Sequence, residues 1–103
     1  MMNLKNLLNE NKAVWFEIEQ TEKQKFLEFA KKNGCVWLNG KEIDPLADDC
    51  MCHMSIHNDY KIAKVAHFIW YRNTEVKKFL FTEFLNGIEA TPDSRLISSV
   101  LND

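Results

Sequence analysis

The apolar residues of this chain change their spacing from one segment to the next, and this constrains its fold more than any other feature. The first strand-like segment alternates, with Val14, Phe16 and Ile18 on one side of an extended backbone. Residues 22–33 instead carry apolar side chains at helical spacing, and residues 50–57 alternate again. Because one chain carries both periods, the sequence predicts an α+β fold.

The helical segment carries signals at both of its ends. Thr21 followed three positions later by Gln24 has the pattern of a capping box, so we expect the helix to begin at Glu22. At the other end Asn33 and Gly34 suit a left-handed stop, because glycine adopts positive φ without steric cost.

The remaining segments add short elements before and after this helix. These are an opening helix with Leu4, Leu7 and Leu8, a strand at 35–38 with a turn at 39–40, a loop at 41–49, a strand at 50–57, a turn at 58–59, a return strand at 60–67, and a closing helix with Leu96, Ile97, Val100 and Leu101 after Thr91 and Pro92. Residues 76–85 fit a strand or a helix, and we favour the strand. We predict a small single α+β domain over residues 1–103, with a mainly antiparallel sheet of three to five strands packed against two or three helices.

Charge and cysteine content narrow the class of protein. The 103 residues include 13 Lys and Arg against 15 Asp and Glu, and a net charge of -2 is the wrong sign for binding nucleic acid by bulk attraction. Three cysteines do not form a secreted disulfide framework, and no segment reads as a signal peptide or a membrane span. We therefore expect a cytoplasmic protein with no cofactor and no membrane contact.

The segment from Cys50 to His57 is the only cluster of potential metal ligands. Cys50, Cys52, His53 and His57 could in principle serve zinc, yet the cysteines and histidines of an alternating strand face opposite sides. We favour Cys50 and Cys52 as small core residues and the histidines as part of a solvated face. No Gly-rich phosphate loop, His-Glu-x-x-His pair or Gly-x-Ser-x-Gly elbow occurs, which argues against the common enzyme classes but not against enzymes as such.

Two acidic groups and one aromatic group are candidate contact surfaces. Asp44, Asp48 and Asp49 lie together in the predicted loop, and Glu17 and Glu19 belong to the first strand.

The aromatic group is Trp70-Tyr71-Arg72, in a stretch rich in aromatic residues. Trp, Tyr and Arg dominate binding hot spots, so this is the best single candidate, although we expect the core to bury at least one of its two rings. Trp15 is expected on the polar face of its strand.

A basic stripe offers an alternative. The segment 60–78 interleaves basic side chains with Tyr60, Trp70 and Tyr71, and this pattern is typical of nucleic-acid binding. The basic residues are Lys61, Lys64, Arg72, Lys77 and Lys78. Homodimerisation through Phe79, Phe81 or the closing helix is compatible with either function.

Short motifs occur at Phe29, Gly34, Trp37 and Gly40, and again over residues 56–62. Their arrangement resembles a group of small proteins encoded by phages and prophages of low-GC bacteria, and residues 56–62 are similar to the later strand and turn of that group. The resemblance covers about the first sixty residues and fits the last forty poorly, and no site residue can be carried over. It implies a mobile-element context, in which some small proteins block host defence nucleases by occupying a protein surface.

These observations predict a non-enzymatic accessory protein that binds a host macromolecule through the acidic groups and the aromatic patch. An inhibitor of a host defence protein, such as a CRISPR or restriction nuclease, is the form that we favour. The alternative is a nucleic-acid-binding module that uses residues 60–78.

Overall fold

The computed structural model describes residues 3–47 and 49–86, which form a five-stranded sheet with helices on both faces. In chain order the elements are α1 (Leu4–Glu10), β1 (Ala13–Glu17), a 3-10 helix (Gln20–Glu22), α2 (Lys23–Lys32), β2 (Val36–Trp37), β3 (His53–His57), β4 (Lys61–Lys64), α3 (His67–Arg72), β5 (Lys77–Leu80) and α4 (Phe81–Leu85). The α+β class is confirmed, with four α-helices in the described residues rather than two or three.

The sheet has the order β2-β4-β3-β1-β5. β3 pairs antiparallel with β1 and β4, whereas β1 with β5 and β2 with β4 are parallel pairs. β3 therefore runs against the other four strands, and the sheet is mixed rather than mainly antiparallel. The reason is that α2 and α3 are crossover connections, each leading from one strand to a parallel one.

The two crossover helices cover opposite faces of the sheet. Val14 and Phe16 of β1 belong to a large core that also contains Phe26 of α2, together with residues of α1 and α4. Trp15, which points the other way, belongs to a smaller cluster with Trp70 of α3. Alternation along one strand thus supplies both cores.

The start of α2 differs from the prediction, whereas its end agrees with it. Thr21 lies inside the 3-10 helix, α2 begins at Lys23, and no side chain caps it, so the predicted capping box is wrong. The 3-10 turn provides a backbone partner instead, since the Glu22 N–H donates to the Glu19 carbonyl at 2.9 Å. The stop at Asn33 and Gly34 is confirmed, with Gly34 at φ 84°.

Several strands are shorter than predicted. The strand expected over residues 50–57 begins at His53, and the return strand expected over 60–67 ends at Lys64. The ambiguous residues 76–85 form both elements in succession, β5 and then α4. The predicted closing helix lies outside the described residues.

Two of the residues proposed for homodimerisation, Phe79 and Phe81, are not available to a partner in this fold, and the closing helix lies outside the described residues. Phe79 and Phe81 are fully buried in the large core, where both rings pack against Phe16. An interface built on either side chain would require the core to open.

Candidate functional site

Trp70 anchors α3 on the sheet. Its side chain is 3% exposed and its ring stacks on Trp15, with centroids 5.9 Å apart and planes inclined by 23°. Val65, just before α3, completes the cluster. The prediction that at least one ring of the Trp70-Tyr71 pair is buried is confirmed, and Trp70 itself cannot be a surface contact while α3 is docked.

His53 lies beneath the same helix. Its ring stacks on Trp70 at 4.4 Å and 22°, and its Nε2 atom is 3.4 Å from Oε1 of Glu17 on the neighbouring strand. His67 and Tyr71 of α3 also contact this ring, with centroids at 5.5 Å and 6.2 Å. The expectation that His53 belongs to a solvated face is therefore wrong, because α3 covers that face.

His57, at the other end of β3, remains half-buried. Its Nε2 is 3.1 Å from the hydroxyl of Ser55, which is buried and also lies 3.4 Å from the Ala63 carbonyl. The Ser55 hydroxyl thus lies out of solvent, with one partner on its own strand and one on β4.

Lys78, on β5, contacts the C-terminal end of α3. Its ammonium group donates to the backbone carbonyls of Trp70, at 2.7 Å, and of Asn73. The same nitrogen lies 5.3 Å from the Trp70 ring centroid and 5.9 Å from that of Trp15, within range of cation–π attraction. Lys78 is thus committed to the fold rather than to a phosphate.

The turn between α3 and β5 is organised by one side chain. Oδ1 of Asn73 accepts hydrogen bonds from the backbone N–H groups of Glu75, at 3.0 Å, and Val76, at 3.2 Å. This Asx-type turn and the Lys78 contacts make α3, the turn and β5 one connected unit.

The outer face of α3 exposes large apolar side chains. Phe68 is 64% exposed, Tyr71 63% and Ile69 42%, and Arg72 lies beside them in solvent. A shallow groove of about 440 Å³ runs along this face. It is lined by Phe68, Ile69, Arg72, Asn73, Thr74 and Glu75. We call this surface, from Phe68 to Glu75, the α3 surface.

Sequence reasoning placed aromatic residues in this stretch but did not identify the helix. Six residues are too few to display a helical period, and α3 has no side-chain cap. Trp70 points inwards, towards the sheet. Phe68 and Ile69 therefore lie on the surface with Tyr71 and Arg72.

The predicted acidic groups are distributed over different places. Glu17 is half-buried beside His53, and Glu19 is exposed at the start of the 3-10 helix. Asp44 and Asp49 are exposed in the loop, where Oδ1 of Asp44 accepts from the Leu46 N–H. Asp48 lies outside the described residues.

The predicted basic stripe is divided between the two faces of the sheet. The register places Lys78 on the Trp15 side and Lys77 on the Val14 side. Two strands, β3 and β1, also separate the lysines of β4 from those of β5. Of the three aromatic residues, Tyr60 packs against the large core and Trp70 is buried, so Tyr71 alone is exposed.

The cysteines and histidines do not converge on one point. Cys50 is buried as expected, but Cys52 is exposed, which corrects its assignment to the core. In the part of the chain that the structure describes, no group of three or more His, Cys, Asp or Glu side chains is arranged to hold a metal ion. Cys35 is buried, and burial raises the pKa of its thiol to about 11, which keeps it protonated and unreactive.

The fold and surface define an α+β protein with an exposed aromatic helix. No known family, curated protein or solved structure matches the chain. Among the described helices, none combines the length and the hydrophobicity needed to cross a bilayer.

Proposed function

We propose that this protein is a small non-enzymatic accessory protein of phage or prophage type, which binds a host protein in the cytoplasm through the α3 surface. The observation that carries the proposal is the exposure of Phe68, Ile69 and Tyr71 on one six-residue helix. Contiguous exposed apolar side chains on a small domain are typical of interaction sites.

The composition of the α3 surface supports protein binding. Tyr and Arg are enriched among residues that contribute most to interface affinity, and Tyr71 and Arg72 are adjacent here. The surface is also held in place before binding, since Trp70 and Lys78 fix α3 from beneath. Preorganisation of this kind reduces the entropic cost of association.

A capture experiment with matched variants tests the proposal. Tagged wild-type protein is incubated with lysate of a low-GC bacterial host, beside the double variants Phe68→Ala/Tyr71→Ala and Leu38→Ala/Leu46→Ala. The control pair is equally apolar and exposed, at 57% and 81%, but lies outside α3. We expect wild type and control to retain a common host protein and the α3 variant to lose it by about tenfold or more.

Equal recovery by all three proteins would refute the proposal. If the retained protein is a nuclease of a defence system, its cleavage of DNA in the presence of each variant tests the inhibitory role directly. Binding of the wild type to a single-stranded oligonucleotide, with steep dependence on salt, would instead favour the nucleic-acid alternative.

A further inference from the structure

We propose that His53 and His67 make the docking of α3 on the sheet sensitive to acid, so that α3 is released when both imidazole rings are protonated. The inference goes beyond the proposed function, because it concerns how the α3 surface is held in place and not what binds to it. Three features carry it: a histidine buried beneath α3, a second histidine on α3 itself and the charges around both.

His53 is buried between the sheet and α3, with its side chain 9% exposed. The register of β1 and β3 places it directly opposite Glu17, whose Oε1 lies 3.4 Å from Nε2 of His53. Its ring stacks on that of Trp70, with centroids 4.4 Å apart. Burial disfavours a charged imidazole, whereas a nearby carboxylate and an aromatic face favour it. The site therefore has partners for one positive charge on His53.

His67 brings a second imidazole to the same place. It is the first residue of α3, its side chain is exposed, and its ring centroid lies 5.5 Å from that of His53. The unpaired N–H groups in the first turn of a helix disfavour a cation at that end. Because histidine ordinarily titrates near pH 6.5, mild acid favours protonation of both rings and so places two cations side by side.

Lys78 adds a third cation to the cluster around Trp70. Its Nζ atom lies 5.3 Å from the centroid of the Trp70 ring, on which His53 also stacks. With both histidines protonated, three cations would therefore face the single carboxylate of Glu17 beneath α3. Like charges at this separation disfavour the second proton.

Other side chains around His53 carry no charge. The ring of Tyr71 in α3 lies 6.2 Å from the His53 ring, and Ser55 is the next residue on the same face of β3. Val65, whose N–H donates to the His53 carbonyl at 2.9 Å, supplies an apolar side chain from the β4 side. These three neighbours cannot compensate a second positive charge.

The direction of the pH effect follows from these contacts. When α3 leaves the sheet, the two imidazole rings separate and are solvated, so the released state binds the second proton more readily than the docked state. Docking is therefore fully retained above the ordinary range of histidine titration and weakens as pH falls through it. For two imidazolium groups this far apart in a partly solvated site, we expect about a tenfold rise in the released population.

Amide exchange of the full-length protein, followed by NMR at pH 7.5 and pH 5.0, measures this release. Each exchange rate is divided by the intrinsic rate at the same pH. The reporters are the N–H groups of Trp70 and Asn73, which donate hydrogen bonds within α3 and at its end, and the reference is the N–H of Ile18, which donates to the Cys52 carbonyl. Opening of α3 relative to the reference should rise about tenfold between the two pH values.

The three histidines of the chain supply matched variants. His67→Gln changes an exposed side chain and should reduce the rise to less than about twofold. His57→Gln, at the other end of β3, should keep the tenfold rise. Glu17→Gln removes the carboxylate beside His53 and should enlarge the rise, because the first proton then also lacks its partner.

Four results would overturn the inference: no rise in the wild type, an equal rise in His67→Gln, loss of the rise in His57→Gln, or a parallel rise at Ile18, which would indicate acid unfolding of the whole domain. The proposed function is tested separately by capture at pH 7.5. A host protein retained through Phe68 and Tyr71, together with an α3 that does not respond to pH, would refute this inference alone. An acid-sensitive α3 that captures no host protein would refute the proposed function alone.

Discussion

Replacing Trp70 with alanine removes the side chain that holds α3 against the sheet. The ring is 3% exposed and contacts both Trp15 and His53 in stacked geometry. A Trp side chain buries roughly 200 Å², which at about 25 cal/mol per Å² corresponds to about 5 kcal/mol as an upper value. Measured Trp-to-Ala changes in cores cost about 3–5 kcal/mol, so we expect a loss near the lower end of that range for this small cluster.

The loss should be concentrated in α3, because Trp70 belongs to a cluster separate from the large core. A docking free energy reduced by about 3 kcal/mol raises the population of the undocked helix about a hundredfold. Amide exchange by NMR measures this opening in α3 and compares it with β3. Urea denaturation followed by circular dichroism measures the free energy of global unfolding.

Tyr71→Ala is the matched control, since it removes the next aromatic residue of the same helix from a position 63% exposed. We expect it to change the free energy of unfolding by less than about 0.5 kcal/mol. If the two variants have equal stability and equal exchange in α3, the anchoring role assigned to Trp70 is wrong.

Four further tests concern individual residues of the fold. Lys78→Met leaves two backbone carbonyls without their donor and should lower the free energy of unfolding by about 1–3 kcal/mol, whereas Lys77→Met should change it little; equal losses in urea denaturation would contradict this. Gly34→Ala should lower the free energy of unfolding by about 1 kcal/mol, because its φ of 84° is strained for alanine. An added Cβ would meet no atom within 4 Å, so the backbone conformation is the sole source of the loss. An unchanged melting temperature in thermal denaturation would contradict this. A thiol reagent at about pH 8 should label Cys52 rapidly and Cys35 slowly, and equal labelling rates in the folded protein would refute the burial argument. Burial raises the pKa of the Cys35 thiol to about 11 in the folded state, so as pH rises above the unfolded pKa the unfolded chain loses its proton first. The free energy of unfolding is therefore fully retained below the unfolded pKa and falls as pH rises towards 11. Cys35→Ala should reduce this alkaline loss of stability, and an identical pH profile would contradict the argument.

The local elements next to the large core could be predicted from the sequence. Val14, Phe16 and Ile18 are buried as their alternation indicates, and Met54 and Ile56 face the same core. These features depend on side chains within one segment, where the spacing of apolar residues reports the buried side directly.

The second face of the sheet could not be predicted in the same way. Trp15 and His53 lie on the side of the sheet that alternation predicts to be polar, yet both are buried. The reason is that α3 packs over them, and α3 is too short to show a helical period in the sequence. Whether such a face is solvated depends on a segment distant in the sequence, and no local pattern reports it.

The sequence by itself determined the α+β class, the inward side of β1 and β3, and the stop of α2 at Gly34. Only the tertiary structure decided which aromatic side chains of α3 are buried and which are exposed. Trp70 is buried against the sheet, whereas Phe68 and Tyr71 are exposed to solvent. The physical reason is that the orientation of so short a helix is set by the surface on which it packs, and here Trp15, His53 and Lys78 provide that surface.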